Sequence, residues 1–127
     1  MSDDDPLAVA HSILGAIQAA AEAHDAEALL GLFTEDAVLV GTVAANLDRP
    51  AVEAYLHAVV GQDDTIRWNY ETVQVVDSSN DTLTFVGVGI VGWDEDDETD
   101  RFRLTCLVVR ESAGWRIRLF HGSVPQG

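Results

Sequence analysis

The sequence predicts an α+β fold, with helices packed on a meandering antiparallel sheet. Three observations predict it. Apolar residues recur at helical spacing near the N-terminus, a second helix start follows at Pro50, and the later half is rich in β-branched and aromatic residues. The 127 residues fit one domain (1–127), large enough to bury a core without disulfides or metals. No internal repeat, linker or second domain interrupts it, and residues 1–5 read as an acidic N-terminal tail.

Asp5-Pro6 is a helix start. Asp is expected to accept from the first free amides, and Pro suits the first helical position because its missing N–H costs nothing there. Leu7, Ala10, Leu14, Ile17 and Ala21 then form one face, with Val9 and Ile13 beside them. His24-Asp25 breaks the pattern, and Asp25 is placed to cap a short helix carrying Leu29, Leu30, Leu32 and Phe33. Residues 37–41 read as a short buried strand. Pro50 opens a helix with Val52, Tyr55, Leu56 and Val59 on its inner face and Gly61 as its stop.

Residues 65–76, 82–93, 100–110 and 115–123 read as four strands. Their connections (77–81, 94–99 and 111–114) are polar and short enough for hairpins. The third of these strands is apolar on both faces: Leu104, Cys106 and Val108 can face the helices, which leaves Leu107 and Val109 uncovered. Leu119 shares that need, and strand parity places His121 with Ile117 and Leu119 on the same face. A long loop could cover it, but the chain has no spare segment, so a second copy is the expected cover.

Charge narrows the partners. Twenty-two acids against seven Arg, with no Lys, give a formal net charge of −15. A field of that sign repels nucleic acid and anionic membranes, and the missing lysine removes Schiff-base chemistry and a P-loop. Cys106 is the single cysteine, so no intrachain disulfide and no cysteine-based zinc site is expected. The N-terminal residues lack a basic n-region and an apolar run, and nothing approaches a spanning helix, so a soluble cytoplasmic protein is expected.

Four motifs carry a functional and a structural reading. Gly87-Val88-Gly89-Ile90-Val91-Gly92 matches G-x-G-x-x-G, but dinucleotide binding needs a strand, a tight turn and a helix, and here the glycines lie inside a strand. Glycine there lets a strand bend or a side chain approach across the sheet. Asp94 to Glu98 with Asp100 could gather calcium, yet lacks EF-hand spacing and reads as a solvated hairpin tip. Among the histidines, His11, His24 and His57 read as surface or boundary residues, and His121 as an interface residue before a catalytic one. No metal site is expected, since none falls in a metal-binding spacing. Cys106 reads as a small buried hydrophobe, because no base or cation stands nearby in sequence to activate it as a nucleophile.

Two segments carry a resemblance over nearly the whole chain. Phe33-Thr34-Glu35-Asp36-Ala37-Val38-Leu39-Val40-Gly41 and Gly114-Trp115-Arg116-Ile117-Arg118-Leu119-Phe120-His121-Gly122-Ser123-Val124-Pro125 resemble the two ends of a SnoaL-like domain, in the nuclear transport factor 2-like superfamily. The resemblance implies a cone of cystatin-like topology, with helices across a strongly curved sheet enclosing a pocket. It also implies that the outer sheet face is a dimer surface. This fold hosts isomerases, cyclases, dehydratases, binding subunits and oligomerisation domains, so it does not choose among activities.

Similarity to the ketosteroid isomerases maps their carboxylate base onto Gly41, their helix tyrosine onto Ile17 and their sheet acid onto Cys106 or Leu107. Without base and oxyanion donors, that isomerisation is not expected. The association domain of calcium/calmodulin-dependent protein kinase has a similar ending. Its pocket arginines map onto Gly122, Cys106 and the neighbourhood of Val88, all uncharged. The implied pocket is therefore apolar. Val88, Phe102, Leu104, Cys106, Phe120 and Gly122 would line it, Arg118 would reach its rim, and Phe33, Tyr55 and Trp68 would contribute from elsewhere.

Three functions remain open: a homodimer binding a small apolar or aromatic metabolite, an isomerase, cyclase or dehydratase acting on a polyketide-like or steroid-like substrate, and a dimerisation domain with a filled core. Arg118, Tyr55 and His121 are the enzyme's polar candidates, and no catalytic residue or cofactor is assigned. The first is preferred, because the expected catalytic positions carry no functional group.

Overall fold

A computed structural model describes residues 5–42 and 44–125; most of the acidic tail, residues 1–4, lies outside them. Helix α1 runs Pro6–Glu22 and α2 Ala26–Leu30, followed by strands β1 (Phe33–Val40) and β2 (Ala45–Asn46), then helix α3 (Arg49–Val60). Strands β3 (Ile66–Ser78), β4 (Thr82–Trp93), β5 (Thr99–Glu111) and β6 (Gly114–Ser123) complete the described chain. They form one curved, mixed sheet in the order β2-β1-β6-β5-β4-β3. The helices lie on one face of it, as expected of an α+β fold.

Local chemistry accounts for most element ends. The Asp25 carboxylate accepts from Ala28 N at 3.0 Å and so starts α2. Asp48 does the same for α3 through Ala51 N at 2.9 Å. Asp5 occupies the N-cap position of α1, but its side chain makes no capping bond, contrary to expectation. His24, at a left-handed φ of 53°, turns the chain out of α1 and is held there by its ring. One ring nitrogen meets Val60 O at 2.9 Å and the other meets Thr65 Oγ1 at 3.2 Å, which ties α1 to the end of α3 and the start of β3.

Two features depart from the simple meander. Strand β1 pairs with β6 in parallel, and the two-residue β2 forms the opposite edge. In addition, β6 carries a bulge: Leu107 lies opposite Leu119 and Val108 opposite Ile117, so Arg118 is an extra residue. The bulge resets the alternation of β6. Ile117, expected on the outer face, is fully buried in the core. Arg118, expected at the pocket rim, is instead drawn to Asp36 beside β1, with Nε 3.3 Å from a carboxylate oxygen.

The core lies between the inner sheet face and the helices, with Phe85, Leu83, Leu104, Ile117, Val52, Val108 and Cys106 its largest fully buried side chains. Strand β4 distributes its residues against intuition. Its inward positions include Gly87 and Gly89, while Val86, Val88 and Ile90 point outward. Gly87 makes room for an aromatic ring from the neighbouring strand, and Gly89 for that strand's backbone at Asn69 and Tyr70. A Cβ at Gly87 would stand 2.8 Å from the Tyr70 ring, which itself stacks at a tilt on Phe102 with centroids 6.4 Å apart. The G-x-G-x-x-G pattern is thus an accommodation for packing.

On the outer face, Leu107 lies opposite Leu119, and His121 lies opposite Thr105, with Val109 further along β5. Arg101 and Arg103 share this face. Elsewhere Arg67 bridges Glu22 at 2.8 Å and Asp94 at 2.5 Å. Such exposed pairs are individually weak, and seven Arg cannot neutralise 22 acids, nine of them clustered at 3–5 and 94–100. The Debye length falls from about 30 Å at 0.01 M salt to about 10 Å at 0.1 M. The melting temperature is therefore expected to rise by a few degrees between those concentrations. A flat or falling curve in a calorimetric salt series would show that repulsion does not limit stability.

Candidate functional site

The helices and the curved sheet enclose a cavity of about 270 Å³. Its deep wall is apolar, built from Ile17 of α1, Leu29 of α2, Phe33 and Leu39 of β1, and Leu56 and Val59 of α3. The sheet closes the other side with Phe102 of β5 and Phe120 and Gly122 of β6. Phe33 and Phe120 pack at a tilt with ring centroids 6.5 Å apart. Gly122 is required by this packing, because a Cβ there would run into the Phe102 ring.

Two hydroxyl-bearing residues, Thr42 and Tyr55, are among the lining. Tyr55, on α3, reaches over Gly41, where a Cβ would lie 2.9 Å from its Oη. The position to which the resemblance assigns a catalytic base is thus bare, and a phenol from the facing helix overhangs it. Partial burial raises the Tyr55 pKa, so it remains a neutral donor at physiological pH. No hydrogen-bond partner for it occurs among the described residues, and it is not sealed from solvent.

The mouth lies between strand β3, the β4–β5 hairpin and the residues after β1. Gln18 of α1 positions β3 there: its Nε2 donates to Ile66 O at 3.0 Å and its Oε1 accepts from Trp68 N at 2.9 Å. The amide side chain thereby mimics a neighbouring strand for the sheet edge. Trp68 and Trp93 follow as diagonal neighbours on β3 and β4, both facing the cavity. The acidic hairpin is held back over the mouth by three bonds. Asp64 accepts from Glu95 N at 3.0 Å, Asp94 N donates to Thr65 O at 3.0 Å, and Arg67 clasps Asp94. Asp96, Glu98 and Asp100 thereby become part of the cavity lining.

Of the residues expected at the pocket, the structure brings together Phe33, Tyr55, Trp68, Phe102, Phe120 and Gly122. Four others are corrected. Val88 lies opposite Arg103 and faces outward, 46% exposed, because Gly89 takes the inward position opposite Phe102. Cys106 does face inward, but lies in the closed core between Phe85 and Phe120, and burial pushes its thiol up to about 12. It is neither lining nor nucleophile. Arg118 is removed from the rim by the bulge. Leu104 is buried in the core and does not line the cavity.

The expected interface residues Leu107, Val109, Leu119 and His121 fall together on the outer face. The hairpin acids are exposed, as a solvated tip should be, and sequence reasoning did not place them beside the cavity. No group of three or more His, Cys, Asp or Glu able to hold a metal occurs among the described residues. No described helix is long and apolar enough to cross a membrane.

A family model described as a SnoaL-like domain matches residues 10–127. A search of curated proteins finds no significant match. Among solved structures, a candidate dehydratase of the NTF2-like family from Streptomyces avermitilis superposes with a TM-score of 0.82 at 17% identity, covering 93% of this chain and 94% of that one. A candidate aromatic ring hydroxylase from Novosphingobium aromaticivorans gives 0.79 at 18% identity, covering 100% and 93%. A candidate calcium/calmodulin-dependent protein kinase type II association domain from Thiobacillus denitrificans gives 0.71 at 22% identity, covering 91% and 94%. At these identities the likeness establishes the fold alone.

Proposed function

The chain belongs to the SnoaL-like domain family, and on that premise we propose that its cone binds one small apolar or aromatic metabolite per subunit. The observation that carries this reading is the cavity of about 270 Å³, walled by aliphatic and aromatic side chains and holding the free hydroxyl of Tyr55. A space of that size suits a compact body of roughly one or two rings. It also weighs against a filled core. The enzymatic alternative, an isomerase, cyclase or dehydratase on a polyketide-like or steroid-like substrate, rests on Tyr55 alone, because Arg118 and His121 lie away from the cavity.

A hydrophobic reporter dye titrated into native protein is expected to saturate at about one site per subunit. Absence of saturable binding to the folded protein would remove the proposal and leave a dimerisation domain.

We further propose that the outer sheet face meets a second copy. Leu107, Val109 and Leu119 with Val88 and Ile90 make that face apolar, and none of the described helices covers it. Leu107→Asp would place a carboxylate in the middle of this contact. The variant is expected to elute as a monomer from a calibrated sizing column at micromolar concentration, where the parent elutes as a dimer. A variant that remains dimeric would put the interface elsewhere.

A further inference from the structure

We infer that the cone is selective for a hydrophobic cation: an arylalkyl or alkyl amine with its apolar body in the cavity and its ammonium at the mouth. This rests on the reading of the cone as a binding site and adds the charge of its occupant.

The inference follows from how charge is distributed around the cavity. The charged residues among its lining are Asp96, Glu98 and Asp100, all acidic and all exposed, as befits the mouth. None of the three has a cationic partner within salt-bridge distance among the described residues. Arg67, on the neighbouring strand β3, is already engaged by Glu22 and Asp94. Arg101 and Arg103 flank Phe102 in sequence, but alternation sends them to the opposite face, beside Ile90 and Val88. The lining contains no Arg and no His. A carboxylate-bearing ligand would thus meet three like charges on entry and find no counter-ion inside. An ammonium would meet three opposite charges.

Two further features favour a cation at that depth. The walls next to the acids carry Trp68 and Trp93, whose ring faces attract a cation within about 6 Å. The net charge of −15 adds a long-range field that concentrates cations near the molecule. An apolar floor with an acidic, aromatic rim matches the two ends of an amphiphilic amine.

The test uses three probes of one shape and different charge: naphthylmethylamine, naphthylmethanol and naphthoate, titrated calorimetrically into the native full chain. At low salt the amine is expected to bind roughly tenfold or more tightly than the alcohol, with naphthoate weakest. The preference should shrink as salt is raised. The alcohol should displace the amine, which shows that they share the cavity. In the triple variant Asp96→Asn, Glu98→Gln, Asp100→Asn, the amine and the alcohol should bind about equally, with the alcohol's affinity unchanged.

A control variant, Glu27→Gln, Glu53→Gln, Asp63→Asn, removes the same charge elsewhere and should keep the preference. An amine that binds no better than the alcohol, or a preference that survives the rim variant, overturns cation selectivity while leaving the binding site intact. If none of the three probes binds, the binding reading itself fails and this inference falls with it.

Discussion

Phe120→Arg is expected to abolish saturable binding of apolar probes, with an affinity loss of about a hundredfold or more, while the protein stays folded. Phe120 is buried against Phe33 and forms part of the cavity wall. Its inward position on β6 is fixed by register, opposite Cys106 and two residues from Gly122. A guanidinium there cannot remain in apolar surroundings without a partner, since an unpaired buried cation costs several kcal/mol. The long arginine stem can extend through the cavity towards Asp96, Glu98 and Asp100, and in doing so fills the space a ligand would take. For that reason Phe120→Glu should destabilise the fold more than Phe120→Arg, because the same acids then repel the new charge. Dye titration and thermal melts of both variants check the pair. Wild-type stoichiometry in Phe120→Arg would move the binding site out of the cone, for instance to the groove between α1 and Trp115.

The largest loss of stability is expected from Phe85→Ala, about 3–5 kcal/mol, as for other truncations of a fully buried ring. Phe85 has no exposed surface and lies on the inner face of β4, between Val75 of β3 and Cys106 of β5. Nothing nearby can collapse into the space, since both neighbours are fixed by strand pairing. For a chain of this size the melting temperature should fall by roughly 10–20 °C. Phe120→Ala should cost less, because it enlarges a space that already exists. In urea titrations the midpoint should shift for both variants with little change in slope. Equal losses at the two positions would mean that the cone behaves as solid core.

Much of this architecture was legible in the sequence because long strands announce themselves. The 82–93 strand was read with its exact bounds, and the other three long strands to within two residues at either end. Asp25 and Pro50 marked helix starts through capping chemistry that acts within one turn.

What escaped the sequence depends on pairing across distance. Strand β2 has two residues and exists only because β1 offers it an edge. The Arg118 bulge cannot be read from alternation, since it is the place where alternation fails. Val88 misled for a related reason: the family resemblance mapped a pocket position only to its neighbourhood, while the Tyr70 ring and the β3 backbone require glycines at the inward positions on either side. The acidic hairpin is the solvent-facing tip its composition suggests, but its place beside the mouth is set by Asp64 and Arg67, about thirty residues earlier, and was not legible. That Phe33, Tyr55, Trp68, Phe102, Phe120 and Gly122 surround one cavity is legible only with the family resemblance, which supplied the cone that periodicity alone does not.

The parallel pairing of β1 with β6 bears on synthesis. β1 is made early, at 33–40, yet the neighbour that ties it into the sheet is the final strand, 114–123. As the chain leaves the ribosome, β1 must wait with an open edge until β6 has emerged. Contacts of such long sequence separation slow folding and lengthen exposure to wrong partners. The heavily acidic composition is well suited to that interval, because like-charged nascent chains repel one another. It follows that loss of the last strand would not trim the sheet from one edge. It would cut β1 and β2 away from β3 to β5, and with them both walls of the cone.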